Sequence, residues 1–487
     1  MIEQIKNLSP KLLWKHFCDI SQIPHPSKKE EKIIAHVRKF GESLGLETLV
    51  DEVGSVLIRK HGTSGMKNRK TVILQGHLDM VPQKNSSTNH NFETDPLDIY
   101  IDGEWVAAKG TTLGADNGIG VAAAMAILES NNIEHGPIEA LFTVDEETGM
   151  TGASGLKEGF LKGDILLNLD SEDEGELYIG CAGGVNTNIE FEYSEEPVNP
   201  EAIAYKVEVK GLKGGHSGLD INLGRGNANK IMNRILLHGF NEHGLRLASI
   251  DGGSLRNAIP REAIATITIP VDNQEKFELC IKKLIDIVLY EFKLTDPEIS
   301  ITINRTGLPK SIIDVRTTEN LFNSISACVN GVIRMLPDMP GVVETSTNLA
   351  IVKSESGKIN IATLQRSSVD SAKEDIANSV GAAFKLAGAK VIHHGDYSGW
   401  KPNLNSSILK TMKEVYNKKY GKVPEVKVIH AGLECGIIGS TSGKELDMIS
   451  FGPTIRFPHS PDEKVNIKSV ELFYDFLIET LKQISEK

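Results

Sequence analysis

Three largely apolar runs in this 487-residue chain stop abruptly at acids or imidazole. Thr71-Val72-Ile73-Leu74-Gln75 leads into Gly76-His77-Leu78-Asp79. Ile138 to Val144 leads into Asp145-Glu146-Glu147, and Ile165 to Leu169 leads into Asp170. A strand that is apolar along its whole length has no wet face, which is the mark of a sheet covered on both sides. Acids scattered over a solvated surface would not all fall at the ends of such strands. The pattern implies buried strands that deliver hard ligands to one rim, the arrangement a two-metal hydrolytic site requires.

The alternation of strand and helix extends the argument. Glu31 to Leu46 has helical apolar spacing, and the Ala-rich stretch from Gly118 to Ser130 reads as a helix packed on a sheet. The fold class expected is therefore α/β, with a central mixed, mostly parallel sheet. After about residue 184 the texture changes. Tyr205 to Lys210, Ala263 to Ile269, Ile299 to Ile303 and Lys358 to Thr363 alternate with period two, as strands with one wet face do. Helices interleave at 226–238, 273–292, 318–330 and 371–387. The order strand, helix, strand, strand, helix, strand occurs over 204–303 and again over 311–393, which implies an α+β domain with two similar halves. From about 395 the α/β texture returns. The expected organisation is a catalytic domain of residues 1–184 and 395–487, interrupted by an inserted lid domain of residues 185–394.

Bulk properties narrow the function. A net charge of −12 argues against a general nucleic-acid binder, which would carry a basic stripe. No apolar run approaches the ~18 residues of a membrane helix, and the N-terminus lacks a basic head and apolar core, so no signal peptide is expected. Cys18, Cys181, Cys280, Cys328 and Cys435 are scattered and form no Cys-x-x-Cys pair. Neither a disulfide framework nor a thiolate zinc site is indicated, and a cytoplasmic location is expected.

Histidine and carboxylate donors without cysteine suit zinc, cobalt or manganese. His77 and Asp79 lie two apart, so on an extended segment their side chains share one side. His77 can bind a metal while Asp79 orients it. Glu146 and Glu147 are adjacent and diverge, so one can be a ligand and the other a free base.

These segments, with Gly110 to Gly118, Asn168-Leu169-Asp170-Ser171-Glu172, Gly214-Gly215-His216-Ser217-Gly218 and Pro458-His459-Ser460-Pro461, resemble the dinuclear zinc peptidases related to carboxypeptidase G, carnosinase and acetylornithine deacetylase. The likeness spans essentially the whole chain and is nearest to the dipeptidase branch. It implies two divalent metal ions, zinc above cobalt or manganese. Asp116 would bridge them, with His77 and Asp170 completing one site and Glu147 and His459 the other. Asp79 would orient His77, and Glu146 would be the general base. The peptide bond after Asp116 is often cis in such proteins. His216 would donate to the tetrahedral oxyanion, the open alternative being a histidine held in its Gly-rich turn by local hydrogen bonds.

Three further positions are candidates for substrate contact. Arg366 has the donor fork for a C-terminal carboxylate, or else pairs with a surface acid. Asn257 matches a position that helps hold a carbonyl or carboxylate, or else bonds its own backbone. Glu434 suits a free amine, or else caps the helix after it. The resemblance implies a dipeptidase acting on unblocked L-dipeptides, Xaa-His included. The rivals are an N-acyl amino acid amidohydrolase of the same fold and a non-catalytic metal-binding scaffold. The partner expected is a small peptide substrate, with no nucleic acid and no membrane. Monomer and homodimer both stay open, the dimer being favoured by the resemblance.

Overall fold

The computed structural model describes residues 2–487. Contacts divide the chain into two compact units. The first holds the residues up to Gly180 with Trp400–Val428 and Leu433–Lys487; the second holds Cys181–Gly399 with Ile429–Gly432. Sequence texture places the breaks at 184/185 and 394/395, whereas the second unit starts at Cys181 and also takes in Ile429–Gly432. The earlier start has a local cause. Gly183–Glu192 is a strand of the second unit's sheet, and the Ala182 N–H donates to the carbonyls of Ile429 and Ala431, which ties 429–432 to the same unit.

An eight-stranded sheet organises the first unit. Its strands lie in the order Glu47–Val50, Val56–Lys60, Ile138–Thr143, Val72–His77, Ile165–Asn168, Asp447–Ser450, Glu176–Cys181, Glu425–Ile429. The four strands from Ile138–Thr143 to Asp447–Ser450 pair in parallel. The pairs at Val56–Lys60 and Glu176–Cys181 are antiparallel, so the sheet is mixed, with its parallel part at the centre. Ile73, Leu74, Leu166 and Leu167 are fully buried there. Each contributes roughly 1.5–3 kcal/mol by leaving water.

Helix Ala115–Glu129 packs on strand Val72–His77 and on helix Lys11–Ser21, and it is buried on nearly every side. Such burial explains its small residues. Gly76 is required at this contact, because a Cβ there would collide with the Asn117 side chain. A smaller sheet of Ile455–Arg456, Lys464–Asn466, Trp105–Ala108 and Ile99–Asp102 holds the hairpin whose turn carries His459. Sequence alternation did not mark these short strands.

The second unit is built on a nine-stranded sheet whose assigned pairs are antiparallel. The order is Ser300–Thr306, Ile203–Lys210, Ala263–Ile269, Arg246–Gly252, Val343–Glu355, Lys358–Ser367, Gly183–Glu192, Lys390–Tyr397, with Gly331–Met335 also on Val343–Glu355. Helices Ala228–His243, Gln274–Glu291, Val315–Ala327 and Asp370–Leu386 bury their apolar stripes in one core with it. The strand pairings do not follow the contiguous segments 204–303 and 311–393 read from the sequence. Ile203–Lys210 lies between Ala263–Ile269 and Ser300–Thr306 in the first half. The strand between Lys358–Ser367 and Lys390–Tyr397 is Gly183–Glu192, from before the first half. Ser311–Ile313 pairs instead with Glu195–Pro197. Pattern along the chain cannot report a strand exchanged between repeats.

Candidate metal centre

His77 ends a strand buried along its whole length. Its Nδ1 lies 3.0 Å from the Asp79 backbone carbonyl and 3.4 Å from Asp79 Oδ1. Nδ1 therefore carries the proton, and Nε2 keeps its lone pair for a metal. Asp79 has a second task. Its carboxylate accepts from the Glu146 N–H at 2.9 Å, the Glu147 N–H at 3.2 Å and the Ser27 hydroxyl at 2.8 Å. One buried acid thus sets both the imidazole and the turn that presents the two glutamates. Burial opposes its ionisation, but the bond and charge of His77 outweigh this and hold it at about 2.

Asp116 stands at the entry of helix Ala115–Glu129 with non-helical dihedrals, and the Asp116–Asn117 peptide bond is cis. Its Oδ1 is 3.2 Å from His77 Nε2, and its Oδ2 is 3.2 Å from His459 Nε2. The two oxygens of one carboxylate each face a different imidazole. Asp170 Oδ1 lies 3.3 Å from His77 Nε2, and Glu147 Oε1 lies 3.1 Å from His459 Nε2. Two ligand groups result, His77 with Asp116 and Asp170, and Asp116 with Glu147 and His459, each with its donor atoms within 4.8 Å of one another. Asp116 belongs to both. Glu146 shares a further grouping with His77 and Glu147.

The donor set fits two divalent cations. Carboxylates outnumber the imidazoles, and the imbalance shows in their protonation. Burial, then the charges of Asp170, Glu434 and Glu147, lift Glu146 well above the usual carboxylate range against the opposing charge of His77. Burial also lifts Asp170 to about 8, despite His77 beside it. Bonds to Asp116 and Glu147 raise His459 to about 11. These side chains gather protons where positive charge is wanted, and divalent ions supply that charge without them. Imidazole nitrogen and carboxylate oxygen are the ligands of a hydrolytic centre of the zinc class.

Glu434 is enclosed completely. It opens helix Glu434–Thr441 but makes no side-chain cap. Its Oε2 accepts instead from Gln75 Nε2 at 2.5 Å and the Thr143 hydroxyl at 2.7 Å, while Oε1 has no hydrogen-bond partner. Burial raises it to about 7.

Glu463 escaped the sequence reading. Four residues after His459, it is 2% exposed, and its oxygens accept from the N–H groups of Leu113 (2.8 Å), Gly114 (3.2 Å), Ala115 (2.8 Å) and Asp116 (3.4 Å). It pins the backbone that carries the shared ligand. Ser460-Pro461-Asp462-Glu463 reads as a solvated turn, so no local signal betrays it.

The second unit carries the other three candidates. His216 forms a two-residue strand with Ala258–Ile259. Its Nδ1 accepts from the N–H groups of Gly218 at 3.2 Å and Leu219 at 3.1 Å. The local bonds of the turn are thus present, and they fix the tautomer: the proton sits on Nε2, which is left as a donor. Burial, then the Arg366 charge, lowers its pKa and keeps the ring neutral at pH 7. Asn257 adjoins it, its carbonyl accepting from the Ser217 N–H at 2.8 Å, with its residue exposed.

Arg366 is 5% exposed and meets no surface acid. Its Nη1 donates to the Tyr397 hydroxyl at 2.9 Å, and its buried Nε has no acceptor. His430, also missed from sequence, bonds the Ser346 hydroxyl through Nε2 at 2.7 Å, and burial with the Arg366 and His216 charges drives it down to about 3. The two compact units therefore divide the site residues: His77, Asp79, Asp116, Glu146, Glu147, Asp170, Glu434 and His459 on one, His216, Asn257 and Arg366 on the other.

The chain is 44% identical to the cytosol non-specific dipeptidase of Escherichia coli (strain K12) over 486 residues, covering 100% of both. The crystal structure of aminoacylhistidine dipeptidase from Vibrio alginolyticus superposes with a TM-score of 0.95 at 46% identity, covering 99% of this chain and 98% of that one. The aminopeptidase PepT of Bacillus cereus shares the fold at a TM-score of 0.57 and 15% identity, covering 98% of this chain and 99% of its own. The sequence profile described as Peptidase family M20/M25/M40 matches residues 73–483. With that match and two relatives alike along their whole length, the chain belongs to Peptidase family M20/M25/M40.

Proposed function

We propose that this M20 peptidase is a di-zinc dipeptidase that hydrolyses unblocked L-dipeptides, Xaa-His among them. The observation that carries the reading is Asp116, one carboxylate placed between two imidazoles, with Glu146 beside the ligands. Two relatives named as dipeptidases, alike over the full length, support the substrate class. No described helix is long and apolar enough to cross a membrane. A cytoplasmic location belongs to the same reading, from the name of the E. coli relative.

His77 and Asp170 would hold one ion, Glu147 and His459 the other, and Asp116 both. When bound, the pair lowers the pKa of a shared water and polarises the scissile carbonyl. Glu146 takes the proton from the attacking water and delivers it to the leaving amine. His216 donates from Nε2 to the oxyanion, as a neutral ring whose tautomer is already set. Arg366, whose buried Nε has no protein acceptor, binds the substrate carboxylate, and Asn257 beside His216 helps hold the carbonyl or carboxylate. Glu434 offers Oε1 to the free amine.

A panel of free and N-acetylated dipeptides, assayed with metal analysis, tests the reading. Turnover of free dipeptides and its loss on N-acetylation are expected. Preference for the acylated compounds would make the protein an amidohydrolase. Two bound metals without turnover of either would make it a scaffold.

A further inference from the structure

Helices Ala228–His243 and Gln274–Glu291 of the second unit pack together, and three metal-ligating side chains meet where they do. His238 and His243 come from the last turns of the first helix, and Cys280 comes from the second. One donor atom from each lies within 4.8 Å of the other two. His238 Nε2 is 3.0 Å from Cys280 Sγ. The two imidazoles lie edge to face with centroids 6.0 Å apart, and His243 also packs on the buried ring of Phe277.

Two observations separate this group from an ordinary polar contact. His243 Nε2 is buried without a hydrogen-bond partner. A buried imidazole nitrogen with no partner is a cost that the fold leaves uncompensated, and a bound cation removes it. In addition, His238 lines a cavity of about 510 Å³ together with Asn241, Leu237, Leu284, Arg234 and Lys230. Three protein donors leave the fourth position of a tetrahedral ion to water.

We propose that His238, His243 and Cys280 form a third cation site, for an ion of the zinc class, which clamps the two helices of the second unit together. Two imidazoles and one thiolate are a borderline-soft donor set, which favours zinc or cobalt over magnesium or calcium. Binding converts the Cys280 thiol to thiolate and releases its proton to solvent. The donors come from two helices and are 37 or more positions apart between histidine and cysteine, so no Cys-x-x-Cys spacing announces the site. It is chemically unlike the dinuclear centre, whose ligand groups contain no sulfur.

That difference supplies the test. The full chain, stripped of metal, is titrated with cobalt(II) and followed in the near ultraviolet. Nitrogen and oxygen ligands give no thiolate-to-cobalt charge-transfer band, so the band reports this site alone. A third bound equivalent and the band are expected in the wild type, and both should vanish in Cys280→Ser with the other two equivalents retained. Saturation at two equivalents without a band would overturn the proposal, as would a band that survives Cys280→Ser. Should that variant fold poorly, the wild type suffices. Zinc in excess of two equivalents should slow alkylation of Cys280, located by peptide mass spectrometry, at least tenfold, and equal rates with and without zinc would overturn it.

Discussion

The candidate residues of the two compact units differ in chemistry. The first carries acids and an imidazole at the ends of buried parallel strands, His77 after Val72–Gly76 and Asp170 after Ile165–Asn168, with a second imidazole, His459, in a hairpin turn. The second presents hydrogen-bond donors, His216 Nε2 and Arg366, from a turn and from an antiparallel strand. Parallel neighbours end on the same side, so a parallel sheet concentrates ligands at one edge without long loops. An antiparallel sheet alternates its ends and cannot do this, so its functional side chains come singly. Cations need many converging ligands, whereas an oxyanion or a carboxylate needs one or two well-set donors. Each sheet type thus serves the job its geometry allows.

The largest expected effect separates roles within the acidic unit. Glu146→Gln should lower kcat by about 10²–10⁴-fold, the scale of a lost general base, with both metals still bound. Metal loss in that variant would make Glu146 a ligand and erase the division between ligands and base. His216→Ala should follow with a fall in kcat of about 10²–10³-fold, the scale of one oxyanion donor. Metal content should not change, because the proposed ligands all lie in the first unit. A variant that loses metal yet keeps its turnover per bound metal would break the contrast between an acid unit and a donor unit.

Much of the first unit was legible because its signals are local. Apolar runs ending at His77, Glu146-Glu147 and Asp170 announce strand, burial and ligand within a few residues of one another. Asp116 and His459 were reached only through resemblance, because a loop before a helix and a hairpin turn carry no periodicity of their own. The second unit was legible as alternating strands and interleaved helices, but Gly183–Glu192 was read outside its half, since pairing partners are set in space. Glu463 and His430 went unnoticed for one physical reason. Each is a polar residue that the fold buries, and burial of this kind depends on distant partners, the backbone of Leu113 to Asp116 for one and the Ser346 hydroxyl for the other.

Glu463 sharpens the comparison further, since it is an acid of the first unit that is neither ligand nor base. Its two oxygens take the N–H groups of four consecutive residues, and it shares a turn with His459. It therefore links the two segments that carry Asp116 and His459, the proposed shared ligand and one proposed terminal ligand. In Glu463→Gln one oxygen becomes an amide nitrogen that faces N–H donors, so half of the grip turns repulsive while size and shape persist. Loss of such a support costs about 10–100-fold in metal affinity, the smallest of these effects. Chelator competition should show that loss. Hydrogen exchange in the metal-stripped protein should show faster amides at 113–116 and unchanged ones in the strand Val72–His77. Unchanged affinity together with unchanged exchange would mean that the Asp116 segment holds its shape without the clamp, and that the acids of this unit serve the cations alone.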